Sequence, residues 1–479
     1  MAATALRTAG WTGTDGPAVD LAVVGGGIAG LTAAWAAHQR GWSVCVLEAS
    51  DVAGGKMRSE RRDGHLIEWG PNSFLGSATR LWQLIEALGL HDEVVPSLPP
   101  GDRFVFHGGR ARRLPKGPGS LFTGDFLSLA AKLRLLAEPF AAGAADPDES
   151  VFEFARRRLG LDAARYLVAP FVAGVYAGDA ERLGARDAFA QLWQWEHDAG
   201  SVTLGALFDG PSQPRAKSQR RGMFSFRDGM GTLPTALVAG LPTGSVRTGA
   251  TLQALAPRER GTFTLTFQQA GDVHHLQARR VVLAQPPLAT AQVLPQPLAR
   301  AIQALTEVEM CRVAVVHFGG PAREGPMPAG FGVLMAPSEG LRPLGILMPS
   351  SVFPHRAAPG RWLHTAFLGG ARDGQALDLD DDALVALARD AQHRAFSHLA
   401  PDQPLPCDFH AVVRWQQAIP QYRSGHRAAM AVALQAVEQG MPGVTLAGNY
   451  LTGVSVQDAA QSGWDAVERL AGGERARGV

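Results

Sequence analysis

The segment VDLAVVGGGIAGLTAAWAAHQRGWSVCVLEAS, opening at Val19, narrows the fold of this chain more than any other. Leu21 to Val24 are apolar without a break, as expected of a parallel strand buried on both faces. Gly25, Gly27 and Gly30 then fit G-x-G-x-x-G, with Gly26, Ile28 and Ala29 between them. Leu31 to Arg40 are alanine-rich helix formers, and Gly41 is placed to end that helix. Ser43 to Leu47 give a second apolar strand, which stops at Glu48 and Ala49. Each residue type has a task in holding a dinucleotide. Gly25 allows the tight turn, Gly27 lets backbone approach a pyrophosphate, and Gly30 lets helix and strand pack closely. The helix N-terminus offers free N–H groups and the positive end of its dipole to phosphate. Glu48 would accept hydrogen bonds from the ribose hydroxyls of an adenosine. A glycine triplet alone is weak evidence, but strand, glycines, helix, strand and acid in order specify a Rossmann-like unit.

The residues after Glu48 point to FAD rather than NAD. Gly54 and Gly55 stand just past the acid, followed by Lys56 and Arg58, and then by Gly70, Pro71, Asn72 and Ser73. This resembles the extended pattern of the amine-oxidase-like flavoproteins, in which a second glycine pair lets the chain pass close to the flavin. An NAD domain would continue with regular βα units, and here the composition shifts instead. The end of the chain, LAGNYLTGVSVQDAAQSGWDAVERL, supplies another strand, turn and helix. Val444 to Leu446 would return to the first sheet, and Gly448 and Asn449 would turn beneath the cofactor. Val454, Ser455 and Val456 would start a helix whose N–H groups favour the negative charge of reduced flavin. A capped surface helix is the plainer alternative for that motif.

The intervening chain is long enough for two further units. At 479 residues with a net charge of +1, nothing argues for nucleic acid through bulk electrostatics. No apolar stretch is long enough to span a bilayer. Cys45, Cys311 and Cys407 are too far apart for a metal knuckle, and a reducing compartment is expected. His65, His107 and His426 lack metal-ligand spacing, and no metal is expected. Residues 1–18 read as a flexible leader without a secretory signal's apolar core. Leu90 to Gly222 read as helical, with Phe126, Leu129, Leu133, Leu136 and Phe140 on one stripe. From the residues alone that stripe reads as core packing in preference to membrane contact. Pro211 to Gly222 read as an exposed basic linker, and the second half of the chain as strands roofing the flavin.

Several blocks now resemble the protoporphyrinogen oxidase family in its plant-organelle and bacterial form. They are GPNSFL from Gly70, PFVAGVYAGDAERL from Pro170, FSFRDGMGTLPTAL from Phe224, GFGVLMAP from Gly330, FPHRAAPG from Phe353, WQQAIPQYRSGH from Trp415 and LAGNYLTGVSV from Leu446. The resemblance implies an α/β fold: a discontinuous Rossmann-like FAD domain with an inserted mixed α+β substrate domain and an inserted helical membrane-binding domain. The implied boundaries are 19–90, 222–290 and 440–479 for FAD, 91–221 for the helical part and 291–439 for the substrate part. It implies non-covalent FAD, removal of six electrons from protoporphyrinogen IX, dioxygen as acceptor and hydrogen peroxide as by-product. It further implies attachment to one membrane leaflet, at the inner face of the cell membrane or in an organelle, with homodimerisation left open. Residue by residue, Arg103 matches a propionate contact, and Gly174 a glycine whose carbonyl faces a pyrrole nitrogen. Leu334, Leu347 and Phe367 match residues that sandwich the macrocycle, Trp415 an aromatic near the isoalloxazine, and Leu252 a backbone contact to adenine.

No dedicated catalytic base is implied, since positioning one macrocycle face and excluding water would suffice. Three rivals stay open. Coproporphyrinogen III carries four propionates, which one arginine at position 103 suits less well. Another flavin oxidase, acting on amines or carotenoids, is the second. A flavin-free binding protein of the same fold is the third, opposed by Gly25, Gly27, Gly30 and Glu48 together.

Overall fold

The computed structural model describes residues 18–99, 101–143, 146, 148–208, 220–324, 327–399 and 404–475. The leader up to residue 17 and the basic segment 211–219 lie outside these residues.

A five-stranded parallel sheet collects its strands from the whole length of the chain. In spatial order they are Val246–Arg247, Val44–Leu47, Leu21–Val24, Val281–Leu283 and Val444–Leu446. Alternation along the strands explains how the sheet is covered. Leu21, Val23, Val44, Val46 and Val282 pack with Ala29, Ala33, Ala37, Ala466 and Val467 of the first and last helices. Ala22, Val24, Cys45, Leu47, Val281 and Leu283 face the other way, onto Leu265 and Phe267 of an antiparallel sheet. That second sheet comprises Ala250–Pro257, Phe263–Gln269 and Asp272–Ala278. The helices Ile28–His38 and Val456–Arg475 lie against each other so closely that a Cβ on Gly463 would stand 1.9 Å from the Ala29 carbonyl oxygen.

A seven-stranded sheet forms the second layer. Its order is Phe409–Pro420, Met310–Pro321, Arg361–Gly369, Gly345–Leu347, Gly332–Met335, Arg103–His107 and Arg110–Arg113. All neighbours are antiparallel except Gly332–Met335 and Arg103–His107. One face packs under the helix Asp381–Phe396, whose Asp380 accepts the Ala383 N–H at 2.8 Å as an N-cap. The other face turns toward the first layer, where Ile67 packs on Leu363, Phe409 and Ala411.

The stretch expected to be helical from Leu90 therefore opens differently. After a single 3-10 turn at His91–Glu93, Val94–Pro96, Arg103–His107 and Arg110–Arg113 are strands, and the α-helices begin at Pro118. Arg110 and Arg113 are exposed on a sheet-edge hairpin and Arg112 is half-buried, so the charge of RARR masked its strand character. The apolar stripe also departs from core packing. Phe126 is buried, but Leu129, Leu133, Leu136 and Phe140 are 73%, 57%, 58% and 90% exposed. Helical periodicity was right about the face and wrong about its cover. Among the described residues no helix is long and apolar enough to cross a membrane.

Candidate functional site

The glycine turn is built as a phosphate cradle. Gly25 has φ +105°, and a Cβ there would meet the Ala284 carbonyl oxygen at 2.7 Å. A Cβ on Gly30 would lie 1.9 Å from the Gly25 carbonyl oxygen, so only glycine lets the helix start this close to its strand. Gly27 is different. Its backbone is extended at φ −74°, and the nearest atom to an added Cβ is 4.0 Å away. Nothing in the protein demands glycine at 27, so open space above it is what the residue supplies. The Glu48 carboxylate is buried, accepting the Gly26 N–H at 2.6 Å and the Ser50 N–H at 2.8 Å. One hydrogen bond to each oxygen leaves lone pairs for a sugar. Leu252 follows closely, since Ala250 donates its N–H to the Glu48 carbonyl at 2.8 Å.

The second glycine pair is part of the same cradle. Gly54 donates to the Gly26 carbonyl at 2.8 Å and bridges Gly27, and Gly55 has φ +58° with Gly27 Cα 3.0 Å from its would-be Cβ. A Cβ on Gly70 would meet the Lys56 carbonyl oxygen at 2.5 Å, which brings Gly70, Pro71, Asn72 and Ser73 alongside. Trp415 Nε1–H donates to the Trp69 carbonyl at 2.6 Å, and the two rings meet edge to face at 6.3 Å. The Lys56 ammonium lies 5.9 Å over the Trp415 ring, and burial pushes its pKa below the ordinary lysine value. Arg58 holds the Val52 carbonyl at 2.7 Å and lies over Trp69.

The C-terminal turn arrives at the same place. Gly448 has φ +150° and donates its N–H to Ser462 Oγ at 3.0 Å, and the Asn449 carbonyl accepts the Tyr422 hydroxyl. Val454 precedes a reciprocal cap, in which Asp458 N–H donates to Ser455 Oγ at 3.1 Å and Ser455 N–H to Asp458 Oδ2 at 3.2 Å. Val456 and Ile28, at the starts of the last and first helices, pack on one cluster. The last helix thus begins on the same hydrophobic cluster as the first.

The five expected substrate residues also come together. Strand register pairs Arg103 with Gly332, Gly332 with Leu347 and Leu347 with Thr365. Two residues on, it pairs Val105 with Leu334, Leu334 with Gly345 and Gly345 with Phe367. Arg103, Leu334, Leu347 and Phe367 therefore share one face of the seven-stranded sheet. Trp415, paired with Val313, shares it too. Gly174 lies on the helix Ala169–Tyr176 laid against this face, and a Cβ on it would come within 2.4 Å of Leu334 Cδ2. Arg103 is exposed, with its guanidinium 5.0 Å over the Phe331 ring. A separate cavity of about 500 Å³, lined by His355, Arg361, Trp362 and His364, involves the opposite face, because Trp362 and His364 alternate with Leu363 and Thr365.

Two residues escaped sequence reasoning. Glu68 and Arg356 form an ion pair in which both side chains are 1% exposed. The signal available was an arginine inside the quoted block FPHRAAPG, but a charge between prolines reads as a surface turn. Buried His317 sits on the same side of the sheet, its pKa pushed down to about 3 by burial. Among the described residues no group of three or more potential metal ligands forms.

A glycine cradle with room over Gly27, a buried acid with free lone pairs and an apolar sheet face could hold FAD, and they mark the class as dinucleotide-binding. A model of the flavin containing amine oxidoreductase family matches residues 28–471. The chain belongs to that family and is an FAD-dependent oxidoreductase. The chloroplastic protoporphyrinogen oxidase of Nicotiana tabacum is 32% identical to it over 95% of this chain and 86% of its own length. The coproporphyrinogen III oxidase of Bacillus subtilis is 27% identical over 93% of this chain and 96% of its own length. A crystal structure from Exiguobacterium sp. 255-15, named provisionally as a protoporphyrinogen oxidase, superposes with a TM-score of 0.79. It covers 94% of this chain and 98% of its own at 23% identity, a likeness of fold.

Proposed function

We propose that this chain oxidises protoporphyrinogen IX to protoporphyrin IX with FAD, passing six electrons to three dioxygen molecules and releasing three of hydrogen peroxide. The observation that carries the reading is the apolar sheet face formed by Leu334, Leu347 and Phe367, with Gly174 laid over it and Arg103 at its edge. A flat, largely apolar macrocycle suits such a face, and Arg103 offers its guanidinium to a propionate. FAD supplies hydride acceptance. The protein's part is to present one face of the macrocycle and exclude water. Gly25 to Gly30, Glu48, Ala49, Gly55, Lys56, Arg58 and Gly70 to Ser73 would hold FAD from one side. Leu252, Trp415, Gly448, Asn449 and Val454 to Val456 would hold it from the other.

The coproporphyrinogen reading draws support from the Bacillus relative. Four propionates would ask for more cations than the single basic residue among the five expected substrate residues. The deciding experiment is anaerobic reduction of the bound flavin by protoporphyrinogen IX, coproporphyrinogen III and a simple amine side by side. Fastest bleaching by protoporphyrinogen IX is expected, and fastest bleaching by either of the others would sink the assignment.

The exposed stripe supports peripheral attachment to one membrane leaflet. Leu129, Leu133, Leu136 and Phe140 are joined as exposed apolar residues by Leu207 and Phe208, and this helical stretch would be the membrane-facing unit. Its two arms are tied together by Glu138, which accepts Ser201 Oγ–H at 2.6 Å and the Val202 and Thr203 N–H groups at 3.0 Å each. The remaining chain divides into the FAD and substrate units of the boundaries expected above, with Arg103–Arg113 moved to the substrate side.

A further inference from the structure

We infer that the buried Arg356–Glu68 pair is a positioning device that holds the Trp69–Ser73 segment in place. The inference rests on FAD lying along that segment, as proposed above. Glu68 ends the strand His65–Glu68, and the next regular pairing begins at Phe74. The residues between belong to no strand, so their carbonyls must find other partners. Side chains provide them. Trp415 of the substrate sheet holds the Trp69 carbonyl at 2.6 Å. Arg356 Nη2 holds the Asn72 carbonyl at 3.1 Å, and Ser225 Oγ reaches the same carbonyl at 3.1 Å.

Arg356 links that carbonyl to everything around it. Its Nη1 donates to Glu68 Oε1 and its Nη2 also to Ser225 Oγ at 2.6 Å. Glu68 in turn accepts Ser59 Oγ–H at 2.5 Å and the Met230 N–H at 2.8 Å. Ser59 Oγ accepts the Gly231 N–H at 2.9 Å. One ion pair therefore joins the strand before the segment, the segment itself, the strand Met223–Phe226, the start of the helix Thr232–Ala239 and the substrate-side turn Pro354–Arg356.

Stability alone does not account for such a pair. Two buried charges lose solvation that their attraction only repays when geometry is good, and an apolar pair of similar volume serves a core as well. What an apolar pair cannot do is present two donors in a fixed plane to Glu68, Asn72 and Ser225 at once. The geometry of the cofactor segment is what the guanidinium supplies.

The test uses purified holoprotein and needs no substrate for its main readouts. Arg356→Lys keeps a charge near Glu68 but cannot reach all three acceptors. It should change the visible circular dichroism and the midpoint potential of the bound flavin, while melting remains near that of the wild type. With the substrate that reduces the flavin fastest, kcat should fall about tenfold to a hundredfold, as for a displacement near 1 Å, with KM little changed. Should Arg356→Lys fail to fold, the double variant Glu68→Leu with Arg356→Met, which removes both charges, is read in its place with the same expectation. Trp415→Phe is the control for cofactor placement. If it alters the flavin spectrum and Arg356→Lys does not, the positioning role is overturned and the placement stands. If neither moves the flavin signals, the placement itself falls, and the inference with it.

Discussion

Gly27→Ala separates what the fold needs from what the cofactor needs. The added Cβ meets nothing closer than 4.0 Å, and φ −74° suits alanine. Losing a glycine narrows the unfolded ensemble by about 0.4–1 kcal/mol. Alanine is also a poorer N-cap than glycine, and the loss is of similar size, roughly 0.5–1 kcal/mol. The two offset, so the apoprotein should melt within a few degrees of wild type. The methyl does enter the space into which a pyrophosphate would settle. Crowding one methyl into a filled contact costs about 1–3 kcal/mol, or roughly 5- to 150-fold in Kd. Gly30→Ala is the contrast. Its Cβ would stand 1.9 Å from the Gly25 carbonyl oxygen, so helix and strand must separate, and the apoprotein itself should be destabilised. The assay is FAD titration of stripped protein by flavin fluorescence quenching, beside thermal melts of the apo forms. Wild-type FAD affinity in Gly27→Ala would refute the placement of the pyrophosphate over this turn. A normal melt in Gly30→Ala would refute the steric reasoning.

Arg103 is exposed and stacked on Phe331, so Arg103→Ala should lose a charged hydrogen bond worth roughly 1.5–3 kcal/mol, read as a raised KM for protoporphyrinogen with FAD content unchanged. Phe140→Asp combined with Leu207→Asp should abolish flotation with liposomes at low salt and leave flavin reduction in detergent intact; a wild-type protein that never floats removes the membrane proposal. His317 and His364 are buried and stay neutral in the fold down to about pH 3, whereas the unfolded chain protonates them near the ordinary value of 6.5. The unfolded state therefore binds more protons in that window, and stability present above pH 6.5 is lost as pH falls, by about 1.4 kcal/mol per pH unit per histidine. Denaturant melts from pH 7 to 5 should show this slope developing below 6.5, and His364→Gln should remove one histidine's share of it. Glu138 behaves similarly lower down. Desolvation opposes its ionisation, but hydrogen bonds from Ser201, Thr203 and Arg158 hold it at about 2, so its contribution is lost only as pH falls from 4.5 toward 2, visible as late acid loosening of the helical stretch by hydrogen exchange.

The cofactor half was legible because its information is local. Strand, turn, helix and acid follow one another between Leu21 and Glu48, and Gly30 meets the Gly25 carbonyl within the same few residues, although the limit on Gly25 itself comes from distant Ala284. The C-terminal strand and helix could be read for the same reason. The strands at Arg103–His107 and Arg110–Arg113 could not. Arg103–His107 takes its place from parallel pairing with Gly332–Met335, far along the chain, and Arg110–Arg113 only from pairing with Arg103–His107. The stripe from Leu129 to Phe140 announced an apolar face, but no pattern within a helix says whether another element covers it. The Glu68–Arg356 pair is the extreme case, with partners 288 positions apart, each of which reads as a surface charge until the fold buries both.

The parallel sheet has a consequence for how this protein comes into being on the ribosome. Its central strand Leu21–Val24 leaves the ribosome long before its edge strand Val444–Leu446 and the helix Val456–Arg475. Until they arrive, Val281–Leu283 is an open strand edge, and the alanine-rich first helix lacks the neighbour it packs on. The nascent chain must therefore carry an unfinished sheet while every residue between Val24 and Val444 is made. Completion of the sheet waits for that late strand, and the open edge is where chaperones would be needed.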